Sequence, residues 1–493
     1  MDLNVTSANA DLALDADLRL ELWQKLSTEI ERYLRLLPGD PVSQPLDAAG
    51  TAALRAQIGT IDLDHPIAPA EALQFAVTGL WEHQVHTPHP RYFGLFNPAP
   101  TTMGVAADAL VAAFNPQIAA WSHSPFAAEI EAYVLRAVAA KFGYPAASSD
   151  GVFTSGGAEA NHTALLCALS HAFPEFSRGG ARALPRPPAI YVSNHSHHSI
   201  VKAARLCGLG TGAVHVLDVD DAMHLQPATV AAAIARDRAA GFQPLLLVAT
   251  LGTTGTGAVD AIGPLADLAA REKIWLHADA AWGGLAALVP ELRPVIAGVE
   301  RADSITFDAH KSLSVPMGAG MFLTRHADIL ERAFRVDENY MPRDASGLAT
   351  AGIDPFAHSM QWSRRFIGLK LFLSLAVAGW EGYAAVLRHQ LAMAALLRQA
   401  APGAGFRIVN DTPLPLVCLA PDRPDGDTPA VIDPIVRAAV ASGQVWVSAA
   451  ALPARDGKPR AAIRCCITNY RTQAGDIAAL LECLTQFSVI SDQ

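Results

Sequence analysis

The 493-residue sequence lacks several features that mark common classes of protein. Its six cysteines form no Cys-X-X-Cys pair, so we expect neither a disulfide framework nor a typical zinc site. No uninterrupted apolar run reaches the ~20 residues that a membrane span needs, and no apolar N-terminal stretch flanked by basic residues indicates a secretory signal. These absences favour a cytoplasmic protein with reduced thiols that binds no metal and no membrane.

Charged residues are also few, at 17%, and Asp and Glu outnumber Lys and Arg by 47 to 37, which gives a formal net charge of -10. A chain without a basic excess is not expected to bind nucleic acid. Hydrophobic residues make up 51% of the sequence, as in a well-buried globular protein, and a chain of this length usually forms two or three domains.

The hydrophobic pattern divides the chain into three parts, which we predict as domains over 1–80, 81–385 and 386–493. The first part has apolar residues at helical spacing over 18–37 and a second helical stretch over 70–85. Such an arm has too little core of its own, so it should pack on another surface, such as that of a second subunit.

From about residue 150 to 325, short apolar runs alternate with helical stretches such as 226–240 and 260–272. This alternation indicates βαβ units and a mostly parallel sheet covered by helices. Ligands of such sheets bind at the carboxyl ends of the strands. The predicted strands are Ile190 to Val192, Leu245 to Leu251, Ile274 to Leu276, Ser304 to Phe307 and Gly320 to Thr324.

The last part combines a long helical region over 362–401 with short strands and a terminal helix over 475–487. This mixture indicates a small α+β domain. Its strands are predicted at Leu416 to Leu419, Val445 to Ser448 and Ala462 to Ile467.

Two strand ends carry residue types that suit a catalytic site. The segment Asp-Ala-His-Lys ends at Lys311, and a buried lysine at a strand end can act as a nucleophile and form a Schiff base. A surface lysine is the alternative.

In the segment His-Ala-Asp-Ala-Ala, Asp279 follows an apolar strand. A carboxylate there is costly unless it meets a charged partner, such as a pyridinium nitrogen, or caps a helix instead.

Three polar segments follow other apolar runs. Gly156 and Gly157 precede an apolar helix, where backbone amides can face a phosphate. The loop 251–257 offers hydroxyls that can reach a cofactor, although a plain turn explains it equally well. The three histidines within 195–198 can stack on a planar ring, and no carboxylate or thiolate stands near them at metal-ligand spacing.

Together and in this order, the five segments resemble the group II pyridoxal-phosphate-dependent amino-acid decarboxylases, such as the aromatic-L-amino-acid, glutamate and histidine decarboxylases. The resemblance spans about residues 80–390, and its most specific element is the pairing of Asp279 with Lys311. It implies an α/β fold of the aspartate-aminotransferase-like type I class, with an N-terminal helical arm, a large mostly parallel sheet domain and a small C-terminal α+β domain. It also implies a homodimer that uses pyridoxal 5'-phosphate.

The resemblance assigns roles residue by residue. Lys311 corresponds to the lysine that binds the cofactor, Asp279 to the partner of the pyridine nitrogen and His197 to the histidine that stacks on the ring. Ala158 replaces a residue that is often serine, and Asp308 stands where many relatives have asparagine, a departure that the sequence does not explain. The other implied cofactor-binding residues are Gly157, Ala158, Thr254, His310 and Asp308.

The substrate side is implied by the segment His-Pro-Arg-Tyr-Phe-Gly-Leu-Phe, which begins at His89 and resembles the N-terminal substrate segment of the family. The aromatic residues of this region favour an aromatic substrate, and a polar or aliphatic one stays open. The tentative substrate residues are His89, Leu95, Phe96, Trp121 and Phe356.

The leading expectation is a carboxy-lyase that converts an L-amino acid to its amine and CO2. In the decarboxylases, a tyrosine of a mobile loop is implicated in protonating the carbanion at Cα. The corresponding loop here, 338–364, has Tyr340 near its start, while Phe356 stands near the expected position. Without that donor, the carbanion could react with oxygen, so oxidative deamination to an aldehyde is one alternative. A pseudoenzyme that only binds a partner is another.

Overall fold

Helices alone precede the first strand in the computed structural model, which describes residues 12–336, 353–455 and 458–490. They are α1 (Ala16–Leu36), α2 (Ala48–Ile58), α3 (Pro69–Glu82), α4 (Thr102–Phe114) and α5 (Pro125–Lys141). The first three have no buried residue, and α1 meets α3 through an edge-on contact between Tyr33 and Trp81. The two predicted helices of the arm are therefore confirmed, and the arm buries little within its own chain.

A seven-stranded sheet forms the centre of the chain. Its strands are β1 (Asp150–Thr154), β2 (Pro188–Ser193), β3 (Val214–Leu217), β4 (Gln243–Thr250), β5 (Trp275–Asp279), β6 (Ser304–Asp308) and β7 (Gly320–Thr324). They lie in the order β1-β7-β6-β5-β4-β2-β3. Only β7 runs antiparallel to its neighbours, so the predicted mostly parallel sheet is confirmed.

Helices cover both faces of this sheet. They are α6 (Gly157–Ala172), α7 (Phe176–Gly179), α8 (Ser199–Leu206), α9 (Pro227–Ala239), α10 (Ile262–Glu272), α11 (Ala309–Ser312) and α12 (Ile329–Phe334). On one face, Leu165 and Ile200 pack on Val192 and Val248 of the strands. The opposite face packs on α5, α9 and α10. Since both faces are buried, the central strands are mostly apolar, which is why short apolar runs predicted them.

The carboxyl edge of the sheet gathers the polar strand ends. Asp279 ends β5, where it pairs with Thr250 of β4 and Thr306 of β6 in the strand register. Asp308 ends β6, and the short helix α11 then carries Lys311. The helix α6 also begins at this edge, because it follows β1 after two residues.

A long helix, α13 (Gly368–Ala400), joins the large sheet to the last part of the chain. By length and composition it could cross a membrane. However, it packs against α4 and α5 of the same chain, and the left-handed backbone of Gly379 (φ 64°) interrupts it. These contacts are those of a packed helix. Residue 386, where the last domain is predicted to begin, falls inside α13, so that boundary stays a prediction.

A second sheet, of four antiparallel strands, forms the C-terminal part. Its strands are β8 (Phe406–Ile408), β9 (Leu416–Pro421), β10 (Ser448–Arg455) and β11 (Lys458–Cys466), in the order β10-β11-β9-β8, and its helices are α14 (Pro429–Ala441) and α15 (Ala474–Ile490). The strand predicted at Val445 to Ser448 is wrong, because β10 only begins at Ser448. Val445 and Val447 are buried in a connecting segment, where Trp446 bridges to Tyr92.

The turn after β5 depends on a glycine, and its replacement should destabilise the fold. A Cβ at Gly283 would lie 1.8 Å from the carbonyl oxygen of Leu251. Overpacking costs roughly 1–3 kcal/mol, and 1 kcal/mol corresponds to about 2–4 °C in a sizeable domain. We expect Gly283→Ala to lower the midpoint of thermal unfolding by about 4 °C or more. Gly212→Ala is the control, since a Cβ there meets nothing within 4 Å. Equal midpoints would contradict the close approach.

Candidate active site

A lysine and a buried carboxylate face each other at the carboxyl edge of the large sheet. Nζ of Lys311 lies 2.9 Å from Oδ2 of Asp308, whose side chain is 1% exposed. The lysine is also largely covered, so it is not the surface lysine of the alternative interpretation. The negative charge of Asp308, which the sequence leaves unexplained, is therefore balanced within the chain by the lysine ammonium.

A second buried carboxylate, that of Asp279, lies at the end of β5. Its Oδ2 accepts a hydrogen bond from Nδ2 of Asn161 at 2.8 Å, and its Oδ1 accepts one from the amide of Ala281 at 3.2 Å. The 3-10 helix that follows, Gly283–Ala287, has no side-chain cap. The helix N-cap interpretation of Asp279 is therefore wrong. Instead, a carboxylate is held at the open end of a strand, where it can meet a cationic ligand.

The imidazole of His197 lies at the start of α8 and is open to the site. Its Nδ1 contacts the hydroxyl of Ser199 at 2.8 Å and accepts a hydrogen bond from the Ser199 amide at 3.2 Å. Its Nε2 bonds to none of the residues that the structure describes. Partial burial lowers the pKa of His197, so the imidazole is neutral at pH 7 and can present an N–H to a ligand.

The backbone at the start of α6, at Gly157 and Ala158, lines a space that no side chain fills; we call this space the cradle. A Cβ at Gly157 would lie 2.9 Å from Oδ2 of Asp308 and 3.3 Å from Cβ of Ala281, so a larger residue would push the helix away from the strand ends. Among the described residues, the amides of Gly157 and Ala158 have no hydrogen-bond acceptor. Free amides at the start of a helix are a favourable place for a phosphate.

The remaining implied cofactor residues lie at the same edge. Nδ1 of His310 accepts a hydrogen bond from the amide of Ala319, and its Nε2 is 3.9 Å from Asp308. Burial lowers the pKa of His310. Thr254 is exposed. Its carbonyl oxygen accepts a hydrogen bond from Nε of Arg464 at 2.7 Å.

This set of residues fits pyridoxal phosphate, the cofactor that the resemblance implies. The amine of Lys311 suits the aldehyde, and the buried carboxylate of Asp279 suits a protonated pyridine nitrogen. The cradle at Gly157, with its free amides, suits the phosphate. Each group complements the charge or the hydrogen bonding of one part of the cofactor.

An aromatic wall stands beside the lysine. The ring of Phe96 is buried and stacks on Trp282, with ring centroids 4.5 Å apart. Nζ of Lys311 lies 5.6 Å from the centroid of Phe96. Next to it, the side chain of Leu95 is half-exposed. The two rings, 5% and 2% exposed, therefore form a buried aromatic wall next to the reactive amine.

A buried arginine, which the sequence analysis did not single out, supports this wall from the small sheet. Arg464 of β11 is 3% exposed, and its guanidinium carbon lies 4.7 Å from the centroid of the Phe96 ring. It donates hydrogen bonds to the carbonyl oxygens of Thr254 and Gly94. No carboxylate of the described residues forms an ion pair with it. The only signal in the sequence is a lone charge within the apolar run 461–467.

The structure places two of the tentative substrate residues in structural contacts. Both ring nitrogens of His89 are used by the backbone: Nε2 bonds to the carbonyl of Asp40 at 3.1 Å, and Nδ1 accepts from the amide of Arg91 at 2.9 Å. The indole N–H of Trp121 donates to Glu129. Both nitrogens of His89 are thus occupied within the chain, and its place among the substrate residues stays a prediction.

Phe356 is buried in a packing contact. Its ring stacks on Trp362 at 4.8 Å, and its amide donates to the carbonyl oxygen of Ala119 at 3.0 Å. Tyr340 and most of the predicted mobile loop lie outside the described residues. The identity of the residue that protonates Cα therefore stays a prediction.

Comparison with known proteins identifies the family. A family model described as the pyridoxal-dependent decarboxylase conserved domain matches residues 59–420. An aromatic-L-amino-acid decarboxylase of Bacillus atrophaeus is 30% identical over 78% of this chain and 77% of its own length. A tyrosine decarboxylase of Oryza sativa subsp. japonica is 33% identical over 78% and 69%. An L-2,4-diaminobutyrate decarboxylase of Rhizobium meliloti (strain 1021) is 33% identical over 63% and 60%.

The fold agrees with this assignment. The crystal structure of Oryza sativa TDC with PLP and tryptamine superposes with a TM-score of 0.87, covering 97% of this chain and 99% of that one at 24% identity. The predicted type I fold, with a large mostly parallel sheet and a small C-terminal sheet, is confirmed. The chain belongs to the pyridoxal-dependent decarboxylase family, and it is an enzyme that uses pyridoxal phosphate to decarboxylate an amino acid.

Proposed function

We propose that the preferred substrate is an L-amino acid with an aromatic side chain, released as its amine and CO2. The observation that carries this proposal is the stacked pair of Phe96 and Trp282. The centroid of the Phe96 ring lies 5.6 Å from Nζ of Lys311. A flat apolar wall favours a flat apolar side chain. Two of the named relatives, the aromatic-L-amino-acid and tyrosine decarboxylases, support the same class of substrate.

The chain's own residues divide the work at the site. When bound, pyridoxal phosphate supplies a protonated ring that accepts the electron pair left at Cα as CO2 departs. The Lys311 amine holds the cofactor, and the Asp308 carboxylate at 2.9 Å orients that amine. The Asp279 carboxylate holds the proton of the ring nitrogen. The imidazole of His197 would hold the cofactor ring by stacking, as the family resemblance implies, and its Nε2 would be available to a ligand.

Replacing the lysine tests both the site and the enzymatic nature of the chain. In Lys311→Ala no amine remains to bind the cofactor covalently, so we expect its visible absorbance to be lost and turnover to fall by about a thousandfold or more. Lys458→Ala, at the exposed start of β11, is the matched control. Unchanged absorbance and turnover in Lys311→Ala would refute the assignment. A wild-type protein that binds no cofactor would support the pseudoenzyme alternative.

The side chain of the substrate and the main product can be tested together. A panel of amino acids, including tyrosine, tryptophan, DOPA, glutamate, 2,4-diaminobutyrate and ornithine, should be assayed for CO2, amine, aldehyde and peroxide under air. We expect the aromatic members to react with a kcat/KM at least about tenfold above the others, because the stacked rings of Phe96 and Trp282 favour contact with a flat aromatic side chain. Preference for 2,4-diaminobutyrate, the substrate named for one relative, would overturn the aromatic proposal.

Phe356 provides the reason to measure the aldehyde. A phenylalanine has no acidic proton to give, so we expect some aldehyde beside the amine. The oxidative route takes up one O2 and one water for each aldehyde, CO2, ammonia and H2O2 released. In the same assay, Phe356→Tyr should shift the products toward amine. If the unmutated protein gives amine alone, Phe356 only packs on Trp362, and the oxidative route is excluded.

We also propose that the chain works as a homodimer in the cytoplasm. Large apolar side chains are exposed on the arm and on three helices of the large domain; these include Leu20, Trp23 and Leu80 on the arm and Phe114, Phe126 and Val377 on α4, α5 and α13. A second copy can cover such a surface by an isologous contact. All six cysteines are free, which supports a reducing compartment.

Light scattering after gel filtration tests the dimer. We expect a mass of about twice the chain mass of 52.0 kDa. The pair of substitutions Phe114→Asp and Phe126→Asp should shift the protein toward the monomer, because charges would enter the buried interface. Leu206→Asp is the control, since Leu206 is also exposed, at 62%, but lies on α8. A wild-type monomer with full activity would refute the proposal.

A further inference from the structure

One buried amide, that of Asn161, connects the two groups that face the cofactor site. Its Nδ2 carries two protons, and both are used: one is donated to Oδ2 of Asp279 and the other to the hydroxyl oxygen of Ser199, each at 2.8 Å. Asn161 is 1% exposed, so neither bond competes with water. The Asp279 carboxylate and the Ser199 hydroxyl are therefore held by the same side chain.

The other end of the amide is fixed just as firmly. Oδ1 of Asn161 accepts from the Thr306 hydroxyl at 2.7 Å and lies 3.0 Å from Nε2 of His277. Complete burial lowers the pKa of His277 to about 4, so this histidine is neutral. Its Nδ1 contacts the Ser304 hydroxyl. A flipped amide would turn its oxygen toward the Asp279 carboxylate, so the orientation of Asn161 is fixed.

The same hydrogen bonds determine where His197 carries its proton. The amide of Ser199 can only donate, and it donates to Nδ1 of His197. This contact, 3.2 Å long, favours an Nδ1 without a proton. The hydroxyl oxygen of Ser199 already accepts a hydrogen bond from Nδ2 of Asn161, and its own proton can point at Nδ1 of His197, 2.8 Å away. The remaining proton of the neutral imidazole then resides on Nε2, which faces the open site.

We propose that Asn161 is a positioning residue that acts through Ser199 to keep His197 in its Nε2–H tautomer, while the same amide holds the Asp279 carboxylate in place. The connected groups Asp279, Asn161, Ser199 and His197 form what we term the amide relay. The hydrogen bonds described above are the only support for the relay itself. Its consequence for catalysis rests on the roles proposed above for Asp279 and His197.

The relay opposes protonation of His197 at Nδ1. A proton there would break the hydrogen bonds from the Ser199 amide and from the Ser199 hydroxyl, and both donors would lose their acceptor. Burial lowers the pKa of His197 in the same direction. The other charged or titratable groups that face this imidazole are Asp279, Lys311, His198 and Asp308. Loss of the relay should therefore raise the pKa of His197.

The tautomer can be observed directly in the full-length protein without cofactor. The 15N signals of labelled histidine separate a protonated ring nitrogen from a bare one, and His197→Gln identifies the signals of His197. We expect the wild type to show a bare Nδ1 and a protonated Nε2 at pH 7. A proton on Nδ1 in the wild type would overturn the proposal without any further variant.

A matched pair of variants separates the relay from a general effect of packing. Ser199→Ala removes the hydroxyl contact at 2.8 Å and leaves only the longer amide contact at 3.2 Å, so we expect part of the His197 population to carry its proton on Nδ1 and the titration midpoint to move to higher pH. Ser199→Thr keeps a hydroxyl and should restore the wild-type tautomer. In the enzyme loaded with cofactor, the acid limb of the kcat/KM profile should move to higher pH in Ser199→Ala only. Identical tautomers and midpoints in all three proteins would refute the relay.

Asn161→Leu tests the link to Asp279. The variant removes the donor to the carboxylate at similar volume, and we expect pyridoxal phosphate to bind about tenfold more weakly or worse. Thr163→Val, in the same helix, is the control, because its hydroxyl bonds only to the backbone of α6. Affinity in Asn161→Leu equal to that of the control would contradict the role of the amide. If Asn161→Leu does not fold, the two Ser199 variants still decide.

The failures of the relay and of the proposed function are distinguishable. A protein with the expected tautomer that prefers no aromatic substrate would leave the relay standing and remove the substrate proposal. A protein that prefers aromatic substrates but carries the proton of His197 on Nδ1 would leave the substrate proposal standing and refute the relay.

Discussion

The carboxylate of Asp279 can be buried at the end of β5 only because donors reach it there. Without partners it would cost several kcal/mol. One donor comes from its own turn, and the other comes from Asn161, one turn into α6. Helix α6 approaches this closely because Gly157 has no side chain to hold it away from the strand ends. The buried charge of Asp279, the missing side chain of Gly157 and the position of α6 therefore depend on one another.

Much of this architecture could be predicted from the sequence, for physical reasons. Strands buried on both faces are mostly apolar, so β2, β4, β5, β6 and β7 stand out as short apolar runs. A carboxylate directly after such a run is costly, which distinguishes Asp279, and a lysine just beyond a strand end, as at Lys311, can reach a cofactor. Their chemical roles came from the family resemblance, because a spacing alone does not distinguish a cofactor lysine from a surface one.

What the sequence did not reveal depends on contacts between distant segments. Asn161 and Ser199 are ordinary polar residues, and their importance follows only once α6, α8 and β5 meet at one edge. Arg464 belongs to a strand of the other sheet, and its partners are backbone carbonyls, which leave no trace in the sequence. The misplaced strand at Val445 to Ser448 has a similar origin, because apolar residues of a packed connection alternate much as those of a strand do.

The contact between the small sheet and the cofactor site depends on a charged residue, Arg464, that has no ion-pair partner among the described residues. Arg464 is buried and donates to carbonyl oxygens, whereas dissolved ions weaken attraction mainly between exposed opposite charges. Ionic strength should therefore leave the position of Phe96 and the Thr254 loop nearly unchanged. The aromatic wall would keep its shape from dilute buffer to concentrated salt, even where ion pairs on the surface of the same molecule, such as Arg301 with Asp267, have lost their effect.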